Sequence, residues 1–98
     1  MLETKVAKRY AKSLLDLSRE KGVMDAVGSD MKLLASVCAE NAEFTALMNS
    51  PIINGDKKLS ILKKVFEGKM NALTLAFFGI VTEKGREAHI EVIAKEFI

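Results

Sequence analysis

The chain has 98 residues, 49% of them apolar and 29% charged, with a formal net charge of +2. This is the composition of one folded domain with its own core, needing no disulfide or metal staple, and it excludes a disordered chain. The small net charge also speaks against a nucleic-acid binder, which carries a stronger and more clustered basic excess.

Only one proline is present and strand-like alternation is absent. Every periodic segment fits a spacing near 3.6, so the fold class is all-α, a single domain.

Helix one is expected from about Thr4, as its cap, to Lys21, with Gly22 ending it. Its charges Lys5, Lys8, Arg9, Lys12, Asp16, Arg19 and Glu20 fall on one side. The other side carries two adjacent stripes. One is Ala7, Ala11, Leu14, Leu15 and Ser18; the other is Val6, Tyr10, Ser13 and Leu17. Together they are wider than the ~100° that an ordinary surface helix needs to face a core. Either one stripe packs inside while the other awaits a partner, or both are buried between flanking helices.

Helix two spans about Asp25 to Asn41, with Met24, Val27, Met31, Leu34, Ala35 and Cys38 as its inner stripe. Gly28 within it costs about 1 kcal/mol relative to alanine. Asp25 and Asp30 read as solvent-facing carboxylates near the helix start, opposing the macrodipole. Helix three, about Ala42 to Asn49, points Phe44, Leu47 and Met48 inward and stops at Ser50-Pro51. The two isoleucines of the following loop, Ile52 and Ile53, are expected to pack down on the core.

Helix four runs from near Asp56 to near Gly68, with Leu59, Leu62, Val65 and Phe66 inside and Lys57, Lys58, Lys63, Lys64 and Glu67 outside. Asn71 caps helix five, Ala72 to Lys84, which Gly85 terminates. Leu73, Leu75, Ala76, Phe77, Phe78, Ile80 and Val81 surround helix five on all sides. It is therefore either a central buried helix or one whose last side another protein completes. Helix six extends from about Glu87 to the end, with Ile90, Ile93 and Phe97 on one stripe.

Catalytic constellations are missing. His89 is the single histidine and has neither a cysteine nor a carboxylate cluster at metal-ligand spacing. Ser13 and Ser60 lack a glycine-rich elbow, and the glycines match no phosphate loop. No cofactor and no metal is expected. The helix-four lysines read as a solvated face. Cys38 has no cysteine partner and lies in an apolar stretch, which fits a buried, inert thiol. The longest apolar run, residues 76–81, falls short of the ~18 residues of a membrane span. The N-terminus carries no secretory signal. The chain therefore reads as cytoplasmic where it is made, with no direct membrane insertion.

Three motifs follow one another in register over nearly the whole chain. Arg9-Tyr10-Ala11, followed by Leu14, is the first. Leu47-Met48-Asn49-Ser50-Pro51-Ile52-Ile53, with Lys57 or Lys58 soon after, is the second. Phe77-Phe78 leading to Glu83-Lys84-Gly85-Arg86, then Ile90 through Phe97, is the third. In this order they resemble the N-terminal domain of the delta subunit of F-type ATP synthase, the bacterial counterpart of the mitochondrial oligomycin sensitivity conferral protein.

The resemblance implies a six-helix bundle and a non-catalytic stator role at the cytoplasmic face of the bacterial inner membrane, as a peripheral component. It implies that the domain sits on the catalytic head and grips the N-terminal helix of an alpha subunit in a groove formed by helices one and five. By that resemblance Tyr10 matches the family's tyrosine, Ser13 stands where a small residue lines the groove, and Ile80 matches an aliphatic position of helix five. Val6, Leu17, Phe77 and Val81 are added from the helix geometry. Two departures stand out. The chain stops just after helix six, which is expected of an isolated N-terminal domain without the C-terminal domain that meets the peripheral stalk. Glu87-Ala88-His89 follows Gly85-Arg86 where a leucine is common. The rival readings are a generic helical adaptor for another amphipathic helix and a nucleic-acid binder, whose affinity would fall steeply with salt.

Overall fold

The computed structural model describes the backbone of residues 2–98 and the side chains of residues 4–98. It contains α1 (Leu2–Glu20), α2 (Met24–Glu40), α3 (Ala42–Asn49), α4 (Gly55–Phe66), α5 (Ala72–Glu83), a single 3₁₀ turn (Glu87–His89) and α6 (Ile90–Phe97). Among the described residues there is no strand. A radius of gyration of 12.3 Å is that of a single compact domain, about 13 Å for this size.

The helix ends follow local chemistry. Asn41, Asn54 and Asn71 each turn a side-chain oxygen onto a free amide of the next helix, accepting from Phe44, Lys57 and Leu73 at 3.1, 2.9 and 2.9 Å. Each relieves one of the unpaired N–H groups of a first turn. After α1 and α5 the chain reverses through Gly22 and Gly85, at φ of 70° and 71°. There Val23 N donates to Ser18 O (2.8 Å) and Arg86 N to Val81 O (2.9 Å), the closing bonds of a left-handed C-terminal cap that favours glycine. The cap expected at Thr4 is not formed, because the helix is already running at Leu2. Helix six begins later than expected: residues 87–89 form the 3₁₀ turn first.

The core is continuous. Ala7, Ala11 and Leu14 of α1 meet Val27, Met31 and Leu34 of α2, Phe44 and Met48 of α3, Leu62 and Phe66 of α4, Phe77, Phe78 and Val81 of α5, and Ile90, Ile93 and Ala94 of α6. Phe66 sits at its centre, edge-on to Phe44 and tilted against Phe78, both with ring centroids at 5.9 Å. α6 packs against both α1 and α2, while α5 packs chiefly against α4. A Cβ on Gly55 would lie 3.0 Å from the carbonyl oxygen of Thr82, so this glycine lets the start of α4 touch the end of α5. Gly28 has no such reason: a Cβ there would meet only the Phe97 ring, at 4.0 Å.

Four sequence expectations are corrected here, the first being Met24, which is exposed rather than on the inner stripe of α2. Asp30 is not solvent-facing: it is 6% exposed, and its Oδ2 accepts from Asn71 N at 2.9 Å and from Thr74 Oγ1 at 2.6 Å. Lys58 is not on an outer face: it is 3% exposed, and its Nζ donates to Glu87 Oε2 at 2.9 Å and Met48 O at 3.0 Å. Ile52 does not pack down; it is 91% exposed, while Ile53 is half-buried. Ile52 follows a proline in a loop between α3 and α4, where its amide donates to Ser50 Oγ at 3.3 Å, so no helix carries it toward the core.

Candidate partner-binding groove

The two stripes of α1 have different fates. Ala7, Ala11, Leu14 and Ser18 are buried and Leu15 is half-buried, and Ser18 satisfies its hydroxyl by donating to Leu15 O at 2.9 Å. The second stripe is only partly covered: Val6, Tyr10 and Leu17 are half-buried and Ser13 is exposed. Helical spacing sets it about 100° around the helix from the core stripe, toward α5 and away from α6.

On α5 the residue that answers it is Phe77. Its ring meets that of Tyr10 edge-to-face, with centroids 6.3 Å apart and planes at 69°, a geometry that contributes about 0.5–1.5 kcal/mol beyond burial. α1 packs most extensively against α6, and α5 against α4. α1 and α5 touch each other little, and the Tyr10–Phe77 contact links them. One turn beyond Phe77, Ile80 is 47% exposed. Of the seven residues singled out in the sequence, the fold therefore brings Tyr10 and Phe77 into contact. It sets Val6, Ser13 and Leu17 on the stripe of Tyr10, and leaves Ile80 open on the α5 side. Val81 stands apart: it is fully buried, on the α5 face that meets the core, and supports the wall from behind.

Two further residues, which the sequence marks only as part of the apolar circumference of helix five, share this face. Leu73 is half-buried and Ala76 exposed. Both lie on the face of Phe77 and Ile80, and the 73/76/77/80 spacing is the signal that could have found them. α5 is thus open on one side rather than buried all round. Past Ala76 toward α4 lies a shallower cleft of about 370 Å³, lined by Lys63, Glu67, Ala72, Leu75, Ala76 and Gly79.

The chemistry of this surface is that of packing. Among the described residues no group of His, Cys, Asp or Glu side chains is placed to hold a metal ion, and no helix is long and apolar enough to cross a membrane. Cys38 is buried. Burial, helped by the Glu91 carboxylate, pushes its thiol up to about 11, so it stays protonated from neutral pH to about pH 10. It should react with an uncharged alkylating agent at least 100-fold more slowly than in urea-unfolded chain at pH 8. Equal rates, measured by mass spectrometry, would show that α2 and α3 open readily around it.

Comparison with known proteins places this surface in context. The ATP synthase delta (OSCP) subunit family matches residues 6–98. ATP synthase subunit delta of Cytophaga hutchinsonii is 46% identical over 97 residues, covering 99% of this chain and 53% of that protein. The subunit delta of Chlorobium phaeobacteroides is 36% identical over 97 residues, covering 99% and 54%. The chloroplastic ATP synthase delta chain of Chlamydomonas reinhardtii is 32% identical over 96 residues, covering 97% and 44%. The chain thus spans about half the length of the relatives it matches. With a family match over nearly all of its residues and the helical bundle that carries it, the chain belongs to the ATP synthase delta (OSCP) subunit family.

Proposed function

We propose that this chain is the head-binding, N-terminal domain of a non-catalytic stator subunit of F-type ATP synthase. In this reading it holds the N-terminal helix of an alpha subunit between α1 and α5 and helps keep the catalytic head from turning with the rotor. The remaining half of the full-length subunit would meet the peripheral stalk. The complex would lie at the cytoplasmic face of the bacterial inner membrane, with this domain peripheral to it.

The observation that carries the reading is the incompletely covered apolar strip along α1 and α5, with Tyr10 on Phe77 linking the two helices and Ile80 open at its edge. A stator must resist torque through many turnovers, and an amphipathic helix seated by apolar anchors does that without chemistry. Three or four anchors at about 1.5–3 kcal/mol each offset the cost of ordering the peptide.

The test is calorimetric titration of the chain with a peptide of about twenty residues from the alpha-subunit N-terminus of the same organism. Binding with a negative heat-capacity change is expected. Ser13 is exposed, so Ser13→Glu should leave the melting temperature nearly unchanged while weakening binding about 10-fold or more, by burying a charge against an apolar helix face. Tyr10→Ala should weaken it by a similar factor, since an aromatic at the centre of a contact is a typical hot spot. A folded parent that ignores the peptide sinks the groove. Equal binding of unrelated amphipathic helices would make the chain a generic adaptor instead.

A further inference from the structure

The rim of the groove is electrically lopsided. On α1, Arg9 lies one turn from Ser13 and next to Tyr10, and Lys5 lies one turn before Arg9; both are exposed. Helical spacing sets Arg9 about 60° and Lys5 about 100° beyond the Val6–Tyr10–Ser13–Leu17 stripe, on the side away from the core. Lys12, on the same flank, is tied at 2.9 Å to Asp16, which cancels that pair, and the exposed Glu20 closes the flank in the last turn, three turns from Arg9. Among the described residues neither Lys5 nor Arg9 has an ion-pair partner. Lys5 also stands in the first turn of α1, where the positive end of the helix dipole adds to its field. The α5 wall is different. From Ala72 to Thr82 it carries no charged residue, its exposed positions there are Ala72, Ala76 and Ile80, and its only charge is the exposed carboxylate of Glu83 at the C-terminal end, one turn past Ile80.

We infer that the groove selects a helix with one acidic flank: two carboxylates one turn apart, set to face Lys5 and Arg9, with an uncharged flank toward α5. This deepens the proposed function and rests on it. The apolar floor supplies most of the affinity. The one-sided charge chooses among amphipathic helices and fixes both the direction in which the bound helix runs and its rotation about its own axis. A helix laid in backwards, or turned over, would bring its carboxylates to the apolar α5 wall and desolvate them without a partner. Rim charges act this way in general, through encounter rate and specificity more than through raw affinity.

The experiment uses three designed twenty-residue amphipathic peptides with the same Leu/Ile stripe, labelled for fluorescence anisotropy. One carries two Glu residues at i and i+4 on one flank, the second carries them on the opposite flank, and the third has Gln in their place. At about 20 mM salt the peptide with the matching flank should bind about fivefold or more tighter than the Gln peptide, from two partly exposed ion pairs. Its advantage should shrink toward unity at about 0.5 M salt. The Lys5→Glu/Arg9→Glu double variant, whose exposed sites leave folding intact, should erase that advantage and leave the Gln peptide's affinity unchanged. If all three peptides bind alike, the charge selection is wrong and the apolar groove stands. If the folded chain binds none of them and the alpha-subunit peptide also fails, the groove itself is wrong and the selection falls with it.

Discussion

Lys58→Ala is expected to cost about 3–5 kcal/mol of folding stability, because it strands a buried carboxylate. The Lys58 ammonium bridges three elements: it stands on α4 and donates to Met48 O at the end of α3 and to Glu87 Oε2 in the 3₁₀ turn. Both side chains are nearly sealed, at 4% and 11% exposure. Glu87 Oε1 is buried and has no hydrogen-bond partner among the described residues, so Lys58 is the group that compensates this carboxylate. The pair itself is worth far less than the loss of one member, since desolvating two charges offsets most of their attraction. The double variant Lys58→Met/Glu87→Leu should therefore recover most of the stability that Lys58→Ala loses. Urea unfolding at constant pH, read as a midpoint shift at unchanged slope, measures both. A loss below about 1 kcal/mol for the single variant would mean that water reaches Glu87 in solution.

Asp30→Ala should cost about 2–4 kcal/mol and should act on the groove as well as on the fold. The Asp30 carboxylate receives the Asn71 amide and the Thr74 hydroxyl, and Thr74 is fully buried. Removing the acceptor leaves that hydroxyl without its partner. It also takes a negative charge from the N-terminal end of α5, where the helix dipole favours one. Because α5 carries Phe77 and Ile80, its first turn should loosen before the domain melts. Hydrogen exchange at residues 74–77 is expected to speed up more than at Leu34 of α2 or Leu62 of α4. Uniform acceleration across the core would show that Asp30 serves global stability alone. Asp30→Asn, which keeps one acceptor oxygen, should recover part of the loss.

Much of this architecture was legible in the residues, and the reason is the same each time: the determinants are local. Helix existence follows from apolar residues recurring one turn apart. Helix ends follow from an asparagine before the first turn, a glycine after the last, or a proline that the helix cannot enter. The motif order that signals the family is likewise a linear property. Even the double stripe of α1 is set by spacing, and its first half is buried except for the half-buried Leu15, while its second is half-covered or exposed.

What spacing could not decide is which face of each stripe meets another helix. Lys58 looked like one more solvent lysine among Lys57, Lys63 and Lys64. Yet it lies one and two turns before Leu62 and Phe66, on their stripe, and its partner is 29 residues away. Asp30 shares the stripe of Val27 and Leu34, and its partner Thr74 is 44 residues away. A buried charge cannot be told from an exposed one until the element bearing its counter-group is in place. Val81 and Ile80 are adjacent in sequence and both aliphatic, yet one is fully buried and the other 47% exposed, because 100° of rotation separates core from open wall. The sequence by itself determined the helices, most of their ends, the family and the apolar character of α1 and α5. Only the tertiary structure decided which sides of those two helices stay open and which charges the core encloses, because burial depends on contacts between residues far apart in the chain.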